Sequence, residues 1–117
     1  MGGGWGLTVL KFSNTSGLLA LGLRSQITLE NLQLLSNTSS VTYGLDAESS
    51  ITLDKVQING FGKGLHIRGS YAHNKTNANG WFLNRVTILN TGNYGFYVEG
   101  DDGNAGLAQL LNIAILV

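Results

Sequence analysis

The chain has 117 residues, seven basic and seven acidic side chains, a formal net charge of zero, and neither cysteine nor proline. The absence of a basic surplus argues against nucleic-acid binding, and the absence of cysteine excludes disulfide bonds and thiolate zinc sites. A hydrophobic fraction of 43% is sufficient for a packed core, and the length fits a single domain over residues 1–117. The longest apolar stretches, 18–23 and 113–117, are too short to span a bilayer.

Residues 1–24 form an irregular first unit. Its sequence contains two short apolar runs, "LTVLKF" at 7–12 and "GLLALGL" at 17–23. Runs of this length and pattern, separated by Ser, Asn, Thr and Gly, are typical of strands joined by turns. We expect these residues to form the first coil of a repeating structure.

Residues 25–117 contain an internal repeat of the form apolar-x-Leu-x-x-apolar-x-apolar. It is clear in "ITLENLQLL", "ITLDKVQIN" and "WFLNRVTIL", and weaker in "AQLLNIAIL". The copies start at Ile27, Ile51, Trp81 and Ala108, which are 24, 30 and 27 residues apart. Repeats of this period indicate a solenoid, and the alternation within each copy predicts β-strands.

A second short run follows each of the first three copies. These runs are "VTYGLD" at 41–46, "GLHIRG" at 64–69 and "GFYVEG" at 95–100. The polar, Asn-rich and Gly-rich segment at 70–80 falls between two coils, and we interpret it as an inserted loop. Each coil therefore contributes two or three short strands.

Two kinds of solenoid fit this pattern. The segment "LENLQLLSN" at 29–37 matches the leucine-rich repeat signature, which predicts a helical or 3₁₀ segment after the strand. The glycine-bounded alternating runs that follow instead favour a parallel β-helix, in which stacked coils lie about 4.8 Å apart. We predict an all-β, right-handed parallel β-helix of about four coils.

The segments "ITLENLQLLSN" and "VTILNTGNYGFYVEGDDGNAG" resemble right-handed parallel β-helix proteins of the pectate-lyase-like superfamily. Bacterial and bacteriophage members, such as tail-spike-like proteins, are the nearest in character. The resemblance implies a polysaccharide or glycan partner and an extracellular, cell-surface or virion location. It carries over no catalytic residue, because neither Arg68 nor Arg85 lies in a motif that matches the lyases.

Alternation assigns a face to the residues of the second runs. Leu65, Ile67, Phe96 and Val98 are predicted to point into the core. Their neighbours then point outward, with His66 beside Tyr97 and Arg68 beside Glu99 on adjacent coils. An outer stripe of one aromatic ring and several polar groups suits a glycan, and an ordinary solvated sheet face is the alternative. The candidate carbohydrate-binding residues are Thr42, His66, Arg68, Tyr97 and Glu99.

Three carboxylates lie close together at Glu99, Asp101 and Asp102. One interpretation is a calcium site or a catalytic carboxyl pair. The other pairs Glu99 with Arg68 and places Asp101 and Asp102 in a turn, where short polar side chains satisfy the backbone. The sequence predicts no cofactor, and calcium at Asp101 and Asp102 is the one metal it leaves open.

The final residues, "LLNIAILV", are an apolar run with no polar cap. Because solenoids need capped ends, we expect the chain to be a piece of a longer β-helix or to self-associate through open ends. The function predicted is a non-catalytic, glycan-facing or structural β-helix module of a bacterial or phage surface protein. Part of a polysaccharide lyase or glycoside hydrolase is the alternative, and a leucine-rich-repeat-like interaction module is the second alternative; whether the chain is an enzyme is left open.

Overall fold

The computed structural model describes residues 8–13, 15–37, 42–68, 81–99 and 108–116. Their regular structure is all β, with no helix among them. The strands are β1 (Thr8–Phe12), β2 (Leu18–Ser36), β3 (Tyr43–Asn59), β4 (Lys63–Arg68), β5 (Trp81–Leu89), β6 (Tyr94–Glu99) and β7 (Ala108–Leu116). The predicted repeats at 81–89 and 108–116 coincide with β5 and β7.

Every strand pairing in this part of the chain is parallel. The pairings form two stacks, because β2 and β3 are long enough to contribute one half to each. Stack A consists of 18–21, 43–48, β4 and β6. Stack B consists of β1, 26–36, 50–59, β5 and β7.

The register of stack B confirms the predicted alignment of the repeats. Ile27 pairs with Ile51, and Trp81 pairs with Ala108. Thr52 pairs with Phe82, which aligns the second and third copies in the same way. Repeat copies that start at unequal spacings are therefore brought into register by parallel strand pairing.

A left-handed residue in each of three repeat copies accounts for the two consecutive polar positions of those copies. Asn31, Lys55 and Arg85 occupy the same repeat position, with φ of 55°, 56° and 52°. Residues of this conformation bend a strand and shift its alternation by one residue. As a result Leu53 and Val56, three positions apart, are both fully buried.

The two stacks pack against each other through a glycine column and an isoleucine column. A Cβ built on Gly64 would lie 2.3 Å from Ile88 Cγ2 and 2.6 Å from the carbonyl oxygen of Gly95. Gly44 and Gly95 meet Ile58 and Ile115 in the same way. Isoleucines of stack B thus fill the space that the glycines of stack A leave.

Around these columns lies one continuous apolar core. It includes Leu34, Leu45, Leu65, Ile67, Leu83 and Phe61, all at most 1% exposed. Burying each such side chain contributes about 1.5–3 kcal/mol relative to leaving it in water, which makes these columns the main source of stability.

One expectation about faces needs correction. Leu65 and Ile67 are buried and Phe96 packs against the core, as predicted, but Val98 is 45% exposed. Val98 pairs with Ile67 on one side, and β4 is the one strand that pairs with β6 among the described residues. With a neighbour on one side alone, the end of the column stays open to solvent.

Candidate functional site

The outer face of stack A contains a cluster of polar and aromatic side chains centred on His66. In the register of the strands, Asp46 of β3 lies opposite His66 on one side and Tyr97 of β6 lies opposite it on the other. Arg68 and Glu99 are paired two residues further along, as the sequence predicted. Three adjacent strands therefore contribute to one site.

The imidazole of His66 is held by two carboxylates. Its Nδ1 lies 2.7 Å from Asp46 Oδ1, and its Nε2 lies 2.7 Å from Glu99 Oε2. A carboxylate only accepts hydrogen bonds, so both nitrogens satisfy their partners only when each carries a proton. The geometry therefore favours the imidazolium form, bridging strands β3 and β6.

The electrostatic balance agrees with this geometry. The side chain of His66 is 3% exposed, and burial on its own lowers its pKa. The hydrogen bonds to Asp46 and Glu99, together with the negative charges of these carboxylates, outweigh the burial and raise the pKa of His66 above its usual value. An ion pair this close is strengthened by its removal from water.

Aromatic rings cover the faces of His66. The ring of Tyr43 stacks on it at 4.8 Å between centroids, and the ring of Tyr97 lies on it at 5.5 Å. Tyr94 continues the row, at 5.2 Å from Tyr97. We refer to Tyr43, Tyr94 and Tyr97 as the tyrosine platform.

The two ends of the tyrosine platform differ. Lys63 Nζ lies 4.8 Å from the centroid of the Tyr43 ring and 3.3 Å from the Tyr43 hydroxyl, so a cation already covers that ring. Tyr94 is 47% exposed. The negative charge of Glu99 is the main cause that raises the pKa of the Tyr97 hydroxyl, which keeps it protonated near neutral pH. The platform therefore offers an open ring at Tyr94 and a cation at Lys63, which lies between Tyr43 and Tyr94 in the strand register.

Thr42 does not belong to the outer column to which the sequence assigned it. The structure places Asp46 opposite His66, and Thr42 lies at the turn before β3, 8% exposed. The Thr42 hydroxyl accepts a hydrogen bond from the Gly62 amide at 3.3 Å. Superposing Gly44 on Gly64 aligns Asp46 with His66, so Thr42 lies two residues before the glycine and outside the column of His66.

Arg68 and Glu99 are close, but Glu99 has a nearer partner. Arg68 Nε lies 3.8 Å from Glu99 Oε2, whereas His66 Nε2 lies at 2.7 Å from the same oxygen. His66 itself, which the sequence predicts to point outward as a candidate carbohydrate-binding residue, is almost fully buried. Asp101 and Asp102 lie outside the described residues, as does the loop at 70–80.

Sequence reasoning missed Tyr43, Asp46, Lys63 and Tyr94. The signal was present in the glycines: "YGLD", "KGLHIR" and "YGFYVE" align when Gly44, Gly64 and Gly95 are superposed. The residue before each glycine is then Tyr, Lys or Tyr, and the second residue after it is Asp, His or Tyr. The close fit of these glycines against stack B is what fixes that register.

The arrangement limits the chemistry that the site supports. A buried imidazolium with both nitrogens occupied has no free lone pair with which to accept a proton. The described part of the chain contains no group of three or more His, Cys, Asp or Glu side chains that could hold a metal ion. What the site presents to solvent is a row of rings edged by charged groups.

Comparison with known proteins adds no assignment. No protein-family model, curated protein or solved structure matches this chain. Among the described residues there is also no helix long and apolar enough to cross a membrane. The geometry of the outer face of stack A is therefore the basis for assigning a function.

Proposed function

We propose that the chain forms successive coils of a right-handed parallel β-helix, as in the pectate-lyase-like superfamily that its sequence resembles. Three observations support this architecture: all pairings are parallel, equivalent repeat positions pair with each other, and left-handed bends recur at one repeat position. A leucine-rich repeat gains less support, because no helical segment follows the strands in the described ranges.

We infer that the module binds a glycan along the outer face of stack A and is not itself catalytic. The observation that carries this inference is the tyrosine platform, in which the rings of Tyr43, His66 and Tyr97 contact one another across three adjacent strands and Tyr94 stacks on Tyr97 within β6. Sugar rings have apolar C–H faces that stack on aromatic side chains, and their hydroxyls need polar partners at the edge. Tyr94 supplies the exposed ring, and Lys63, its register partner on β4, supplies a donor beside it.

A polymer suits this site better than a single sugar. Tyr43, His66 and Tyr97 lie on the adjacent strands β3, β4 and β6, which are spaced at about 4.8 Å, and Tyr94 adds a second ring on β6, so the rings extend across three strands. Each ring contact contributes about 0.5–1.5 kcal/mol, which is too little for a single unit but adds up along a chain. A bacterial or phage surface protein, outside the cell or on a virion, is the setting in which such a module would meet polysaccharides.

Binding measurements on neutral and acidic polysaccharides test this proposal. Affinity electrophoresis or calorimetry should show that Tyr94→Ala and Tyr97→Ala weaken binding several-fold. Phe82→Ala is the matched control, because Phe82 is a half-buried aromatic residue of stack B, away from the platform. Equal binding by all three variants, or no binding by the native chain, would contradict the proposal.

The same incubations distinguish a binding module from a lyase or hydrolase. A lyase would generate unsaturated products that absorb in the ultraviolet, and a hydrolase would generate new reducing ends. Either product, if lost in Glu99→Gln with the fold retained, would replace the binding function with an enzymatic one. Binding without product formation is the result we expect.

A further inference from the structure

We propose that His66 is a positioning residue for the tyrosine platform: its doubly protonated ring, held between Asp46 and Glu99, fixes the rings of Tyr43 and Tyr97, and loss of one proton loosens them. The positioning role stands on the geometry of the site alone. Its consequence, that glycan binding weakens as pH rises, rests on the proposed function.

The imidazole of His66 fits closely between two hydrogen-bond acceptors. Both His66 contacts are 2.7 Å long, and the acceptors come from strands on opposite sides of β4. Removing one proton leaves a nitrogen lone pair facing a carboxylate oxygen at that distance. Since two acceptors repel each other, the ring or one carboxylate must move, and one of the two cross-strand contacts opens.

A movement of the His66 imidazole would also affect the two tyrosine rings that contact it. The imidazole lies within 6 Å of the ring centroids of both Tyr43 and Tyr97, at interplanar angles of 23° and 30°. A cation over an aromatic face is attracted to it, and the attraction disappears when the cation is neutralised. Deprotonation therefore removes both the hydrogen bond that fixes the plane of His66 and part of the force that holds the two rings against it.

Charged or titratable groups surround the His66 ring on three strands. On β3 these are Tyr43, Asp46 and, two residues further along, the buried Glu48; on β4 itself they are Lys63 and Arg68; on β6 they are Tyr94, Tyr97 and Glu99. The carboxylates nearest to His66 raise its pKa, and the raised pKa of Tyr97 keeps that hydroxyl neutral over the same range. Because these carboxylates raise its pKa, His66 keeps its second proton to a higher pH than an ordinary imidazole does, and it loses that proton as pH rises through the folded pKa.

The test begins with a measurement that needs no glycan. The chain has two histidines, so His73→Gln leaves His66 as the single imidazole whose ring protons are followed by NMR against pH. Near-ultraviolet circular dichroism of the same protein reports the packing of the tyrosine rings. We expect the tyrosine signal to change with the same midpoint as the His66 titration.

Two substitutions separate positioning from a merely structural role. Asp46→Asn and Glu99→Gln preserve shape but remove a charge, so each should lower the pKa of His66 and move the tyrosine midpoint to lower pH by the same amount. His66→Gln should abolish the tyrosine transition. A tyrosine signal that stays flat through the His66 titration, or a midpoint that does not follow it in Asp46→Asn, would overturn the proposal even if His66→Gln failed to fold.

Glycan affinity provides the final comparison. The association constant should fall as pH rises through the pKa of His66, by about tenfold for each unit by which glycan raises that pKa. Reciprocally, added glycan should shift the NMR titration of His66 upward. Absence of binding at every pH, with the tyrosine transition intact, would reject the glycan proposal and support the positioning role. Affinity that is independent of pH, beside a tyrosine transition, would overturn the proposed control of binding.

Discussion

The outer faces of the two stacks each carry cross-strand ion pairs, which differ in how exposed the cationic side chain is and in how many carboxylates it contacts. On stack A, His66 is 3% exposed and bridges two carboxylates from flanking strands. On stack B, Arg85 is 55% exposed and forms a bidentate pair with Asp54, at 2.9 Å to both oxygens. The first pair is shielded by tyrosines and the second is open to water.

The two ion pairs should therefore differ in how much they contribute to the free energy of unfolding. Exposed ion pairs contribute about 0–1 kcal/mol, because water and salt screen them and the side chains lose entropy. A buried charge that loses its partner costs far more, because nothing replaces the missing hydrogen bond. We therefore regard stack B as the structural support and the His66 cluster of stack A as the specialised surface.

The largest expected effect concerns the interior that the stacks share. Gly64→Ala places a methyl group within 2.6 Å of both Ile88 Cγ2 and the Gly95 carbonyl, one of which is backbone that cannot move aside. We expect a loss of about 3 kcal/mol in the free energy of unfolding, measured by urea denaturation. The exposed Gly92 supplies the control, and a Gly64→Ala protein as stable as Gly92→Ala would show that the stacks do not fit as described.

His66→Gln should have the next largest effect. It removes a cation and leaves Asp46 and Glu99 facing each other across a neutral side chain. We expect a loss of about 2 kcal/mol in the free energy of unfolding, from the hydrogen bonds and the aromatic contacts together. A loss no greater than that of Arg85→Ala would erase the distinction between the two stacks.

The pH dependence of stability should be smaller and confined to stack A. The pKa of His66 is higher in the folded chain than in the unfolded chain, so its contribution is fully present below the unfolded pKa and is lost as pH rises through the folded pKa. Urea denaturation from pH 6 to pH 9 should show a declining free energy of unfolding in the native protein. The decline should be absent in His66→Gln, and its persistence there would assign it to another group.

Arg85→Ala should have the smallest effect. Its pair with Asp54 is exposed, so we expect a loss below about 1 kcal/mol that shrinks further in 1 M salt. Arg85 also has a left-handed φ of 52°, and Arg85→Gly relieves that strain while removing the same ion pair. Arg85→Gly should therefore be at least as stable as Arg85→Ala, and the reverse order would mean that the bend does not strain the chain.

Much of the fold was predictable from the sequence, because an apolar pattern that repeats residue for residue specifies a register. Ile27, Ile51, Trp81 and Ala108 align as the repeat predicted. The repeat has two consecutive polar positions that include Asn31, Lys55 and Arg85. The pattern alone did not predict that these residues bend the strand in a left-handed conformation. The joining of 18–36 into one long strand was not foreseen either, since the polar residues between its apolar runs resemble a turn.

The candidate site was predictable only in part. The pairing of His66 with Tyr97, and of Arg68 with Glu99, follows from alternation and was expected. The burial of His66 was not, because it depends on Tyr43 and Asp46, whose positions relative to His66 are set by a glycine that fits against the opposite stack. Alternation assigns a residue to a face, but it does not indicate whether large neighbouring side chains will bury that residue.

The glycine–isoleucine fit also constrains how such a chain can change in length during evolution. The partners Gly44 and Ile58 are 14 residues apart, Gly64 and Ile88 are 24 apart, and Gly95 and Ile115 are 20 apart, yet each pair makes the same contact. Length is therefore free in the connections and fixed in the strands. We therefore expect insertions between a glycine and its isoleucine to be tolerated in the connections, whereas a repeat copy could be added or removed only together with both partners.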